Sequence, residues 1–402
     1  MSNNSDFDVD DLLDSLFPKE SLLGLFEKRV EELGITPTNA LEIIDIEYRA
    51  LYGILNGTSP RVDARNFSKI ASFLGLSREY VIKLFFDVLD KTYLDRSNFP
   101  EKNIDFIKKN FDLAALKKVG FIEDLSDYFS IEEKIRKYFG YKTIFEFAPP
   151  KGGIAFSAGI RKPKNNHAKN FWLVSAKYTF INLNNSYEYS RDELINYFPK
   201  IRRQSIDVEN GLINVIKDLY KLGVSVIYQS SLPSIHLKGA TMVVNNKPCV
   251  VLTNYMGYYT TIWHTLCHEL FHVLFDLEEI SENGYHISEE ENDELPVKER
   301  EKEADYFAKE FLFSSDKLEE VKPHINNREF VKKIANRFQV PESFIYTYFA
   351  FEYGKNYPGI WAKVKANDPS FIQFLKRIEN PWENSKEILE FVNNLKKSGV
   401  YN

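Results

Sequence analysis

The chain is poor in cysteine. Among 402 residues only Cys249 and Cys267 carry thiols, too few for a disulfide framework or a four-thiolate zinc site. A reducing cytoplasm is therefore the expected setting. No apolar run reaches the roughly 18 residues that a bilayer-spanning helix needs, so no membrane partner is expected. Residues 1–14 are acidic, where a secretory signal would be basic and then apolar. A cationic surplus is missing as well. Lys and Arg total 52 against 58 Asp and Glu, a net charge of -6, which argues against a surface that coats nucleic acid as a whole. The 44% hydrophobic content excludes a disordered chain and suits two or three domains with their own cores. Histidine is scarce too, yet three of the seven, His264, His268 and His272, stand on one helical stripe.

The expected fold class is α+β and mostly helical, in five stretches. Residues 1–20 form an acidic segment: Asp6, Asp8, Asp10, Asp11 and Asp14 alternate with Leu12, Leu13, Leu16 and Phe17. Residues 21–95 read as short helices joined by tight turns. Thr36 caps one helix with Pro37 in its first turn, a second spans 47–55 and stops at Asn56-Gly57, and Gly75 ends a third. Helical patterns also cover 103–119 and 131–139 in a mostly helical middle region, 96–205, with a strand or turn at 141–147. A basic loop from Pro149 to Lys169 lacks any phosphate-cradling motif. With Phe171, Trp172 and Tyr178 nearby it reads either as a stacking surface for single strands or as a solvated loop over a buried aromatic helix. From 206 to 350 the pattern becomes a helix ending at Gly223 and strands at 224–228, 239–245 and 247–253, followed by a long helix. Residues 351–402 are expected to be a helical extension.

The run GITPTNALEIIDIEYRALYGILNGTSP followed by FSKIASFLGLSREYV resembles the DNA-binding domain of the phage-repressor-like (XRE) family. The resemblance implies a helix-turn-helix whose 47–55 helix enters the major groove, with Tyr48, Arg49, Arg61 and Arg65 as DNA-binding candidates. Residues 20–91 nevertheless carry nine Lys and Arg against eleven Asp and Glu. Such a module needs its cations gathered on one face, for which Lys69 is a further candidate, or else it docks protein rather than DNA.

The run from Trp263 to Phe275 holds His268-Glu269-Leu270-Phe271-His272, a His-Glu-x-x-His pattern. Histidines four apart share one helix face, so both rings can reach a single ion, and Glu269 leans toward its open position as a base. About thirty residues on, Ala304, Phe307, Ala308, Phe311 and Leu312 mark an amphipathic helix. Glu301 on its edge is the favoured third ligand, Glu303 the competitor, and Glu299 faces solvent. Asp305, four residues beyond Glu301, can accept a ring N–H from a ligating histidine and so orient it. Tyr285, His286 and Tyr306 are candidates to stabilise an oxyanion. The acidic stretch 281–296 reads as a solvated linker.

HELFH with the preceding WHTLC and the later EKEADYFAKEFLF resembles the ImmA/IrrE family of bacterial metallopeptidases, over residues 205–350. The resemblance implies a zincin-like (gluzincin) layout: Zn2+ on His268, His272 and Glu301, with Glu269 as catalytic base. Its members are commonly linked to helix-turn-helix repressors that they cleave in stress, prophage or mobile-element responses. The expected function is thus a zinc endopeptidase whose protein substrate is a partner repressor. The alternative is a non-proteolytic transcription regulator or antitoxin-like binder with a silent or structural metal site. Two positions depart from the family pattern. His264 stands where a small or apolar residue is usual, and is expected to support His268. Cys267 stands where alanine is usual, and is expected to be a packed thiol. DNA partnership through residues 21–95 and oligomerisation are both left open.

Overall fold

The computed structural model describes residues 21–59, 62–97, 99–149, 167–233, 235–289, 295–370 and 387–401. The acidic 1–20 segment, the loop centred on 150–166 and Arg61 lie outside them. The chain divides into two compact units, Met1–Glu101 and Lys102–Asn402.

In the first unit, helices α1 (Leu22–Glu32), α2 (Pro37–Ile44), α3 (Tyr48–Leu55), α4 (Ala64–Leu74) and α5 (Arg78–Ser97) follow one another. Ser21, Thr36 and Asp63 cap α1, α2 and α4 by accepting backbone N–H bonds. Gly57, at φ +64°, turns the chain after α3, where most residues would be strained. Leu22, Phe26, Ala40, Leu51, Ile54, Ile70 and Val81 form the shared core. Helix α3 leaves Tyr48 and Arg49 exposed. Two of the candidate cations are already paired. Arg65 Nη2 lies 3.1 Å from Asp63 Oδ2, and Lys69 Nζ 2.7 Å from Asp45 Oδ2.

The second unit holds together the middle region, the metal-motif region and the tail. The pattern at 103–119 resolves into α6 (Glu101–Asn110) and α7 (Leu113–Lys118), because Asp112 accepts from Ala115 N–H and starts a new helix. Helix α8 (Tyr128–Phe139) follows, and residues 141–147 form no strand. Ile144–Glu146 is a single 3-10 turn, with Glu146 accepting from Thr143 N–H. In α9 (His167–Leu183), Phe171 and Trp172 are fully buried, and the Trp172 indole donates to the Ser230 carbonyl. Neither ring is available to stack on a base. Helices α10 (Arg191–Gln204) and α11 (Gly211–Lys221) lead into the sheet.

Strands β1 (Ser225–Tyr228), β2 (Leu237–Val244), β3 (Lys247–Leu252) and β4 (Tyr285–Glu289) are ordered β1-β3-β2-β4. The β1–β3 pair is parallel, and β2 runs antiparallel to both β3 and β4. Asn245 and Asn246, at φ 52° and 60°, make the two-residue turn that joins β2 to β3. Helix α12 (Tyr259–Phe275) packs on β2 and β3 and is followed by α13 (Leu277–Asn283), β4 and α14 (Leu295–Phe313). The stretch 281–296 is therefore not simply a linker, since it contributes the end of α13 and an entire edge strand. Helices α15 (Ser315–Val321), α16 (Arg328–Phe338), α17 (Glu342–Tyr353) and α18 (Ile360–Asn367) come next, and α19 (Ile388–Lys397) packs against α9. Tyr401 is buried with its hydroxyl on the Val226 carbonyl, so the tail is part of this unit's core rather than an appendage. No helix among the described residues is long and apolar enough to cross a membrane.

Candidate metal centre

Helix α12 is almost wholly buried, and Asp368 Oδ1 accepts from the Tyr259 N–H at its first turn, 3.0 Å away. A carboxylate there meets the positive end of the helix. From this buried helix His268 and His272 project toward Glu301 of α14. The Nε2 atoms of the two rings are 3.3 Å apart, and they lie 3.3 and 3.2 Å from the Glu301 oxygens.

Each ring is fixed from its other side. His268 Nδ1 lies 2.8 Å from Asp305 Oδ1, and His272 Nδ1 lies 2.7 Å from Asp276 Oδ2. A carboxylate takes an N–H, so each ring keeps a proton on Nδ1, and once Nε2 gives up its own proton the lone pair there is free for an ion. Arg300 completes the outer support. Its guanidinium binds Asp276 Oδ1 and Glu303, and lies over the Phe271 ring at 4.6 Å. Glu303 is thereby exposed and engaged elsewhere, which removes it as the third ligand, and Glu299 faces solvent.

The donor set fits a metal. An ion bound tetrahedrally at about 2.0–2.1 Å sets its ligand atoms roughly 3.3–3.4 Å apart. The three separations are 3.2–3.3 Å, and the only nitrogen close to the buried Glu301 Oε2 among the described contacts is His268 Nε2 itself. His268, His272 and Glu301 form a fully buried candidate metal group. Without the ion, charges compensate inside the site. Burial opposes ionisation of Glu301, but hydrogen bonds from His268, His272 and His286 hold its carboxyl far below the usual range. Burial likewise opposes charging of His268, yet Asp305 and Glu301 carry it up to about 10.

Glu269 points from the same helix at strand β2 and is fully buried. Thr241 Oγ1 donates to its Oε2 at 2.8 Å. Gly239 lies beneath it, where a Cβ would come within 2.5 Å of Oε1. One carboxylate oxygen is therefore fixed by the sheet, and Oε1 is left without a hydrogen-bond partner.

The remaining candidates separate. His264 Nε2 lies 3.2 Å from Asp305 Oδ1, and its Nδ1 lies 3.1 Å from the Tyr348 hydroxyl. Burial lowers its pKa against the pull of Asp305. It supports the carboxylate that orients His268. A second grouping of His264, His268 and Asp305 is close enough for a metal, but Asp305 is already engaged by both rings and by Lys238. His286 of β4 is buried with Nε2 2.6 Å from Glu301 Oε1, so it is committed to the third ligand. Tyr285 alternates to the other face of the sheet and joins Leu173 and Lys177 around a separate small cavity. That placement takes it away from the oxyanion role. Tyr306 is exposed at a cavity of about 350 Å³ that also touches His264, Asp305 and Thr265. Cys267 is a fully buried thiol whose pKa is raised by burial.

Thr241, Gly239, Asp276, Arg300 and Ser288, whose Oγ lies 3.0 Å from His268 Nε2, are site residues that sequence reading missed. Asp276 could have been found, since it stands four residues after His272. The others depend on a strand pairing and a helix contact that no local pattern announces.

Residues 221–347 match the family model Peptidase_M78, described as the IrrE N-terminal-like domain. The match spans about a third of the chain and encloses α12, β4 and α14, and so every ligand candidate. It indicates a metallopeptidase-type function for this region. No curated protein and no solved structure matches the chain.

Proposed function

We propose that the second unit is a zinc-dependent endopeptidase and that the chain is a regulator acting on a protein substrate, expected to be a partner repressor. The observation that carries it is the pairing of a three-ligand centre of tetrahedral spacing with Glu269 on the same helix. Bound zinc supplies Lewis acidity toward a peptide carbonyl and toward water. Within that chemistry Glu269 Oε1 receives and returns the proton, while Thr241 keeps the other oxygen in place. Asp305 and Asp276 hold the histidine rings in one tautomer. The first unit is read as the element that meets DNA or the substrate, through the face bearing Tyr48 and Arg49.

The test incubates the full chain with the helix-turn-helix repressor encoded beside its gene, with and without DNA and chelator. Cleavage is expected to vanish with chelator and in Glu269→Gln, while that variant keeps stoichiometric zinc. Cleavage undiminished in Glu269→Gln overturns the reading. The rival reading, a non-proteolytic regulator with a structural metal, draws on the near-complete burial of His268, Glu269 and His272. It requires DNA binding unaffected by Glu269→Gln and no cleavage under any trigger.

A further inference from the structure

Strands β2 and β4 present two cross-strand rows to the metal centre. Gly239 stands opposite Ser288, and Thr241 opposite His286. All four touch the site: Gly239 makes room for Glu269, Thr241 donates to it, and His286 holds Glu301. Ser288 Oγ lies 3.0 Å from His268 Nε2, the nitrogen that faces the ion position, because Asp305 occupies Nδ1. That distance is close to the 3.2–3.3 Å separations among the three ligand atoms themselves. Ser288 has no exposed surface, and neither do Glu269 and His272.

Structural zinc sites are closed by four protein ligands, whereas catalytic ones keep one position free. A hydroxyl is a neutral, weak donor, so it can complete such a shell and still be displaced. Strand β4 is built to leave. Among the described residues it is the edge of the sheet and pairs with β2 alone, and its register with β2 shifts between Leu237 and Gly239, beside Ser288. Such an irregularity interrupts the ladder of hydrogen bonds. With β4 in place Glu269 has no exposed surface.

We propose that the Ser288 hydroxyl is the fourth member of the metal site and that β4 closes this centre until it separates from β2. The consequence for activity rests on the peptidase reading; the placement of Ser288 does not.

The test loads Ser288→Cys with Co2+ in place of zinc. A thiolate on cobalt gives an intense near-ultraviolet charge-transfer band that nitrogen and oxygen ligands do not give. One such band per bound ion is expected in the variant and none in the parent, whose buried Cys249 and Cys267 serve as the internal control. Stoichiometric cobalt without the band overturns the proposal. Should Ser288→Cys fail to fold, Ser288→Ala in the zinc form reads the same point. Loss of an interaction around a metal changes its hold by about 10–100-fold, so a chelator is expected to strip zinc at least about ten times faster. An unchanged rate overturns the proposal.

Closure is read separately in Ala240→Cys/Ile287→Cys, a facing pair on the opposite side of the β2–β4 ladder. Oxidation is expected to slow chelation relative to the reduced form, and equal rates overturn closure by β4. A cobalt–thiolate band with no Glu269-dependent cleavage ends the peptidase reading alone. Cleavage without the band ends this proposal alone.

Discussion

His272 Nδ1 lies 2.7 Å from Asp276 Oδ2, one helical turn further along the chain, and Arg300 grips the second oxygen of the same carboxylate. Burial works against the Asp276 charge, but His272 and Arg300 keep its carboxyl below the usual range. The ring therefore keeps its proton on Nδ1 and its lone pair on Nε2. Asp276→Ala removes that preference. Metal affinity is expected to fall about 10–100-fold, measured by competition against a chromophoric chelator, with the fold retained by circular dichroism. Unchanged affinity shows that Asp276 does not orient the ring.

Strand β2 holds Glu269 by a hydrogen bond and by an absent side chain. Thr241→Val leaves a buried carboxylate oxygen without its donor, which costs about 1–3 kcal/mol. Denaturant unfolding of the metal-loaded chain is expected to show that loss, and Thr241→Ser to restore most of it. Gly239→Ala drives a Cβ into Glu269 Oε1 and has to displace it. Cleavage is then expected to fall with zinc content unchanged. Loss of zinc together with activity instead indicates a general collapse of the site.

The helical half of the centre was legible because its periodicity is local. His268, Glu269 and His272 share one helix, and Glu301 and Asp305 another, so spacing placed each set on a common face, while Glu303 stayed a competitor of Glu301 on sequence grounds. The sheet half was not. Strand β4 carries His286 and Ser288 on its inward face, inverting the apolar-inside pattern by which a strand is recognised, and it sits in a strongly acidic stretch. Tyr285 looked equivalent to His286 until the strand's alternation sent the two residues to opposite faces. The Asn-Asn turn, the caps at Thr36 and Gly75 and the helix stop at Gly223 were legible because turn chemistry is local. The packing of residues 102–205 and 387–401 into one unit with the metal region rests on contacts between distant segments, such as Tyr401 on Val226.

Metal binding is expected to release protons. In the metal-free chain the His268 pKa stands at about 10, and an ion requires the neutral ring. Apparent affinity therefore falls as pH drops, with proton release near neutral pH visible as buffer-dependent heat in calorimetry. Stability follows the same sign. A histidine raised from 6.5 to about 10 contributes stability that is fully present below pH 6.5 and lost as pH rises toward 10. The metal-free chain is expected to lose stability across that window, and the zinc-loaded chain to show no such slope. A shared slope rejects the assignment to His268.

If the first unit reads DNA, Arg49 is a phosphate- or base-contacting cation free of local carboxylate partners among the described contacts, unlike Arg65 and Lys69. Arg49→Ala is expected to weaken DNA binding and to reduce the slope of log affinity against log salt by about 1. An unaltered slope assigns Arg49, and with it the exposed end of α3, to protein contacts.

Asp368 offers a second pH readout, outside the metal ligands. Burial raises its carboxyl to about 6, with the Tyr259 N–H pulling the other way. A carboxyl with a folded pKa above its unfolded value of 3.8 contributes stability that is fully present below 3.8 and lost as pH rises through 6. The charged form at neutral pH is thus a strain on the start of α12, moderated by solvent because the side chain is half-buried. Asp368→Asn keeps the oxygen that accepts from Tyr259 and removes the charge. The variant is expected to be more stable than the parent at pH 7–8, with the difference fading by pH 4, in parallel thermal melts of the zinc-loaded chains. A difference that persists at pH 4 assigns the effect to packing, and a destabilised variant at pH 7 shows that the negative charge at the helix start outweighs its burial.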